Sequence, residues 1–314
     1  MYITALKNNL IMTLSRLILA LTLGTYPFIQ TAQAQITSST FTAVSEFTSN
    51  CEGPAVDADG NIYAVNFAQD GTIAQINRRG RTSFFITLPK GSTGNGIRFG
   101  DANTFYIADF TGHNVLKADL TTRDVTILAH EPRMNQPNDL AITRSGHIFC
   151  SDPNWKKGTG QVWHVTPDGK TRLVAEDMGT TNGIEVSPDE KTLYVNESAQ
   201  LNVWAFDLAS DGSLSNKRLL IKFEDGGMDG MRCDTKGNLY ITRHGLGQVA
   251  VVSPAGKVIS TITTIGKKVS NISFGGRKGK NCYITLQDRG CLETFKVKTP
   301  GREWVMMREF IGKR

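Results

Sequence analysis

The sequence predicts an all-β protein, a six-bladed β-propeller of four-stranded antiparallel blades, and three observations carry that reading. An aromatic residue inside a short β-prone run recurs six times at near-equal intervals. Turn signals of Gly, Asp and Asn sit at corresponding places around most of these aromatics, and no mature segment sustains a helical period. The aromatics are Tyr63, Tyr106, Phe149, Tyr194, Tyr240 and Tyr283, spaced by 43, 43, 45, 46 and 43 residues. Four antiparallel strands with their turns occupy roughly 40–45 residues in a propeller blade. A β-sandwich also uses short strands, but it gives no reason for six near-equal intervals.

In chain order, residues 1–34 stand outside this pattern. Lys7 and Arg16 form a basic start, Leu17 to Leu23 begins an apolar core, and Ala32-Gln33-Ala34 is a small-x-small cleavage pattern. Tyr26, Pro27 and Gln30 break the apolar run below the ~20 residues a bilayer span requires. The segment therefore reads as a cleaved secretory signal peptide, with an uncleaved anchor as the competitor. Residues 35–314 would then form one secreted or periplasmic domain.

Within that domain, Phe41–Phe47 is expected to supply an outer strand that closes the ring. The first unit follows, with Asp59-Gly60-Asn61 turning before Tyr63 and Arg79-Gly80-Arg81 closing a second hairpin. The second unit is centred on Tyr106. The third turns at Ser145-Gly146 and Asp168-Gly169-Lys170, the fourth at Asp189-Glu190-Lys191 and Asp211-Gly212. Lys236-Gly237-Asn238 and Ala255-Gly256-Lys257 mark the fifth, and Pro300-Gly301-Arg302 reads as the last hairpin signal.

Composition bounds the function. With 39% hydrophobic and 20% charged residues the chain is too apolar to be disordered. Its net charge is +6, and two of those charges are Lys7 and Arg16 in the leader. The remaining excess is mild and dispersed, which argues against nucleic-acid or membrane partners. Five cysteines, Cys51, Cys150, Cys233, Cys282 and Cys291, match no zinc spacing, and an odd number leaves at least one unpaired in a monomer. Buried inert thiols are the expectation, and no particular disulfide is predicted.

Counting back from each aromatic exposes a second periodicity. Eleven residues before Tyr63, Tyr106, Phe149 and Tyr240 stand Glu52, Asn95, Asn138 and Asp229. Twelve before Tyr194 and Tyr283 stand Asn182 and Asn271, one extra residue being taken up in the turn. The first strand of a blade faces the central channel. Six carbonyl or carboxylate oxygens are therefore expected around one channel mouth, a donor set suited to a hard cation such as Ca²⁺. No imidazole is among them, which disfavours zinc and copper. Asn and Asp serving only as turn residues is the competing reading.

At these residues the mature chain resembles the SMP-30/gluconolactonase/luciferin-regenerating-enzyme-like family of calcium-dependent propeller hydrolases. The resemblance is carried by Cys51-Glu52-Gly53-Pro54, Gln136-Pro137-Asn138-Asp139-Leu140, Thr181-Asn182-Gly183-Ile184 with Ser187-Pro188-Asp189, Gly227-Met228-Asp229-Gly230-Met231 and Phe274-Gly275-Gly276. It implies that Glu52, Asn138, Asn182 and Asp229 hold calcium, with Asn138 also a substrate contact and Asp229 the acid/base or nucleophile. Family members that open sugar lactones often carry Arg where this chain has Gln136, so the resemblance points to lactone chemistry more firmly than to a sugar acid.

The sequence thus predicts a secreted calcium-dependent hydrolase of a small-molecule lactone or ester. Asn95, Asn271, Arg243 and His244 are further candidate substrate contacts. Arylesterase or organophosphate hydrolysis at the same site is the alternative within the enzyme class, and a non-catalytic propeller with structural calcium the alternative outside it. Asp109, Asp152 and Glu197, each three residues after its aromatic, are expected to tie blade ends together. The chain has no G-x-S-x-G or H-E-x-x-H motif, and Gly91-Ser92-Thr93-Gly94-Asn95-Gly96 runs into a strand, not a phosphate-binding helix.

Overall fold

The computed structural model describes residues 36–312; the expected signal peptide, 1–34, lies outside them. Six four-stranded antiparallel sheets follow one another as the blades of a propeller. The innermost strands are Phe47–Val56, Gly94–Phe99, Leu140–Ile142, Thr181–Val186, Met231–Cys233 and Val269–Gly275. Each pairs with a second strand that contains one of the six aromatics. The aromatic period therefore marks the same strand in every blade.

Burial explains why this chain closes into a ring. Six apolar clusters lie between adjacent blades. One joins Tyr63 and Ile73 to Phe105 and Ile107, and the last joins Tyr283 and Leu292 of blade six back to Cys51 and Ile62 of blade one. Each sheet is thus covered on both faces, and the longest runs of exposed residues fall on outermost strands. All five cysteines are buried and unpaired, as their apolar settings favour.

Two expectations are corrected. The strand that closes blade six is Ser39–Thr40, which pairs Ser39 with Thr294 and Thr40 with Glu293; Phe41–Phe47 is the connection that follows, with Phe47 opening the first blade. The segment read as a final hairpin leads instead into an α-helix, Arg302–Gly312. Its signal was present: Glu303, Met306, Met307 and Phe310 repeat at helical spacing, and Met306 and Met307 are buried. This helix lies over the innermost strands, enclosing a small cavity lined by Val56, Arg98, Glu185, Arg302, Glu303 and Met307. Among the described residues no helix is long and apolar enough to cross a membrane.

At four of the six ring positions the next residue is glycine (Gly53, Gly96, Gly183 and Gly230), because the neighbouring blade crowds there. Gly53 has φ +57°, and a Cβ on it would lie 2.0 Å from the backbone oxygen of Asn95. Gly53→Ala is expected to destabilise the protein by at least about 2 kcal/mol, read as a lower urea midpoint. Gly91→Ala is the control: φ is +89° there but nothing lies within 4 Å of the added atom, so its cost should be about 1 kcal/mol.

Candidate functional site

The ring residues sit where strand pairing is interrupted. Register shifts separate Glu52 from Ala55, Gly94 from Ile97, Thr181 from Ile184 and Val269 from Ile272, so Glu52, Asn95, Asn182 and Asn271 all fall at or within a bulge. Asn138 and Asp229 precede the short inner strands of blades three and five. Bulges re-aim side chains out of the pleat, and here they aim polar groups at the channel.

A cavity of about 480 Å³ opens at that mouth and is lined by Glu52, Asn95, Asn138, Asn182, Asp229 and His244 of the predicted residues. Asn271 and Arg243 are not brought into it. The Asn271 Oδ1 accepts from Arg232 Nη1 at 3.2 Å and from the Ile272 N–H at 2.9 Å, which places its amide beneath the ring. Arg243 packs its guanidinium over Phe223 and donates to the backbone oxygens of Asp225 and Gly227.

Arg243 has a structural counterpart in four other blades. Three residues after each aromatic, a polar side chain grips the loop or strand start that leads to its own blade's ring residue. Asn66 donates to Asn50 O at 2.7 Å, and Asp109 accepts from the Thr93 N–H at 3.2 Å. Asp152 accepts from the Gln136 N–H at 2.6 Å, and Glu197 from the Gly179 N–H at 2.8 Å. The tie expected of Asp109, Asp152 and Glu197 is thus within each blade, and it sets where the ring residue stands.

The same counting would have found residues the sequence reading missed. Phe110, Ser198 and Gln287 follow their aromatics by four residues, as His244 does, and all four line the mouth. His244 Nε2 lies 3.2 Å from Gln287 Oε1, and burial lowers the imidazole's pKa, favouring the neutral ring. Trp155, 42% exposed, adds a second aromatic wall beside Phe110.

Among the described residues no three His, Cys, Asp or Glu side chains converge as a metal-binding group. The donor set is two carboxylates with amides, and three features fit a divalent cation. Burial pushes the Glu52 carboxyl up to about 7, and burial together with the Glu52 charge raises Asp229 well above its ordinary range. The Oδ1 atoms of Asn95 and Asn182 are buried without a hydrogen-bond partner. Finally, the channel below the ring is already balanced: Arg98, Arg232 and Arg302 face Asp139, Glu185 and Glu303. Glu52 and Asp229 remain as two uncompensated negative charges, and burying such a pair is costly without a countercharge.

A six-bladed propeller with a polar ring at one channel mouth defines the class of this molecule. The chain belongs to the SMP-30/gluconolactonase/LRE-like family, whose model matches residues 90–288, a span that holds every ring residue except Glu52. It is 30% identical over 216 residues to a gluconolactonase of Zymomonas mobilis subsp. mobilis, covering 61% of this chain and 60% of that one. It is 25% identical over 295 residues to a diisopropyl-fluorophosphatase of Loligo vulgaris, covering 84% of this chain and 94% of that protein. The structure of a calcium-binding regucalcin from Agrobacterium tumefaciens superposes with a TM-score of 0.74 at 21% identity, covering 85% of this chain and 96% of its own. That last likeness is one of fold.

Proposed function

We propose that the protein is a secreted calcium-dependent hydrolase that opens an uncharged lactone or related ester at this mouth. The observation that carries the reading is the pair of desolvated carboxylates, Glu52 and Asp229, both raised by burial and Asp229 also by the Glu52 charge, beside Asn95 and Asn182, whose amide oxygens lack partners. Glu52, Asn138, Asn182 and Asp229 would hold the ion, with Asn95 completing the ring. A bound calcium supplies Lewis acidity toward a carbonyl oxygen and the charge developing on it.

The chain's own residues supply the rest. Asp229 keeps part of its surface open to the cavity while its backbone is held by Thr242 and Asn196, so its carboxylate has a fixed direction. It takes the proton of an attacking water, or itself attacks the carbonyl. Neutral His244, paired with Gln287, offers hydrogen bonds to the substrate without adding charge. Among the described residues no Lys or Arg lines the cavity, Gln136 is not part of its lining, and the Gln136 backbone N–H donates to Asp152. Arg243 packs over Phe223, Arg133 packs on Glu131 and Trp163, and Arg98 and Arg232 are held in the buried pairs below the ring. An anionic substrate therefore finds no anchor besides the metal, and a carboxylate product is not retained.

Similarity to both a gluconolactonase and a fluorophosphatase supports carbonyl and phosphoryl esters as the two substrate classes to separate. Proton release by the purified protein on lactone, aryl ester and fluorophosphate panels, before and after chelation, tests the reading. Chelator-sensitive lactone opening, restored by calcium, is expected; a calcium-loaded, folded sample that opens no lactone or ester overturns it. Trp155→Ala should lower kcat/KM for aryl-bearing lactones about tenfold while changing glucono-1,5-lactone less than about threefold, because only the former stacks on the indole.

A further inference from the structure

The C-terminal helix reaches the candidate metal site through charge. Glu303, in its first turn, accepts from Arg232 Nε at 3.2 Å and from the Phe274 N–H at 2.6 Å. Arg232, fully buried, extends Nη1 to Asn271 Oδ1 at 3.2 Å and to Asp139 Oδ2 at 3.4 Å. Asp139 is held from its other side by Arg98, with contacts of 2.9 and 3.2 Å. Asn271 in turn neighbours the Glu52 carboxylate, and the Asp139 charge is felt by both Glu52 and Asp229. Arg302, next to Glu303, donates to Ile142 O at 2.9 Å and to Glu190 at 2.7 Å and faces Glu185 at 3.6 Å.

We infer that the helix Arg302–Gly312 is the electrostatic floor of the metal site, and that Glu303 is a positioning residue that sets divalent-cation affinity by balancing Arg232. The inference rests on the metal reading of the mouth given above. Its physics is simple. Three arginines and three carboxylates below the ring cancel, with Glu190 at the edge shared between Arg302 and Arg144. The nearest charges a cation above them meets are therefore Glu52 and Asp229, with Asp70 farther out on the cavity wall. Neutralising Glu303 leaves one arginine charge unbalanced beneath the cation, and Arg232 is fully buried, where screening by solvent is weak. Neutralising Arg232 leaves one carboxylate unbalanced, which favours the cation. Asp139 stays paired in that case, because Arg98 still holds it.

The two variants therefore move affinity in opposite directions, which a packing role does not do. Calcium titrations of the full chain by calorimetry at pH 8, where Glu303 and Glu185 carry their charge, are the test, with folding checked by circular dichroism. Glu303→Gln preserves an acceptor for the Phe274 N–H and should weaken calcium binding roughly tenfold or more. Arg232→Gln should tighten it by a similar factor. Glu185→Gln and Arg302→Gln repeat the comparison from a second acid and a second arginine, should either first variant fail to fold. Affinities within twofold of wild type, or weakened alike in both kinds of variant, overturn the inference while leaving the metal reading intact. No calcium binding by the wild-type protein overturns the metal reading, and the inference with it.

Discussion

Asp229→Asn should lower kcat/KM for lactone opening by at least about 10³-fold, the range expected when the group that moves the proton or attacks is removed. The substitution keeps the volume of the side chain. It also keeps the backbone contacts that fix the residue, from its N–H to Thr242 O at 3.1 Å and from Asn196 Nδ2 to its carbonyl at 2.6 Å. It removes one of two buried carboxylates that repel each other. The metal-free variant should therefore melt above the metal-free parent near pH 8, while its affinity for calcium falls. Activity and stability are opposed at this position because the site concentrates like charge that the fold alone does not offset. A variant retaining a tenth or more of the parental turnover would remove Asp229 from the mechanism.

The second large effect is in stability against pH. Glu52 is raised from an ordinary value of 4.5 to about 7 by burial. Below pH 4.5 both folded and unfolded chains hold its proton, and the stability linked to it is fully present. As pH climbs toward 7 the unfolded chain releases that proton while the folded chain retains it, so stability falls. A shift from 4.5 to about 7 corresponds to about 3 kcal/mol lost by pH 8, and Asp229 acts in the same direction. Glu185 and Glu303, both raised to about 7 by burial, add to the slope in the metal-free protein. On the proposed function, calcium would replace the protons at the ring. Saturating calcium should raise Tm by roughly 6–12 °C at pH 8 and by little at pH 5, in scanning calorimetry. An equal calcium shift at both pH values would mean that Glu52 and Asp229 do not bind the ion.

Much of the architecture was legible because propellers repeat. One aromatic per blade fixed the phase, and the phase then named the residues that meet at the channel mouth, since equivalent positions in a closed ring converge on one axis. Glu52, Asn95, Asn138, Asn182 and Asp229 were found by counting alone. Asn271 obeys the same count and still leaves the mouth, because Arg232 beneath it captures its carbonyl oxygen. Arg243 looked like a substrate anchor, and it is the blade-five equivalent of Asn66, Asp109, Asp152 and Glu197, a grip on a loop. Its phase was readable, but its sign was misleading: the other four sites accept from N–H groups or reach a carbonyl through an amide, whereas a guanidinium there grips carbonyls.

The sequence by itself determined what depends on local pattern and on period: six blades, their turns, the strand that carries each aromatic, and the ring of oxygens they bring together. Tertiary structure decided what depends on partners far apart in the chain. It set Ser39 beside Thr294 to close the ring, folded the last described residues into a helix over the inner strands, and assembled Arg98, Asp139, Arg232 and Glu303 into one buried network. Those four residues come from three blades and the helix, and no spacing in the sequence relates them. Charges buried together are balanced only in the folded molecule. That the two carboxylates of the mouth, Glu52 and Asp229, stand outside the arginine pairs below them is therefore a property of the three-dimensional arrangement.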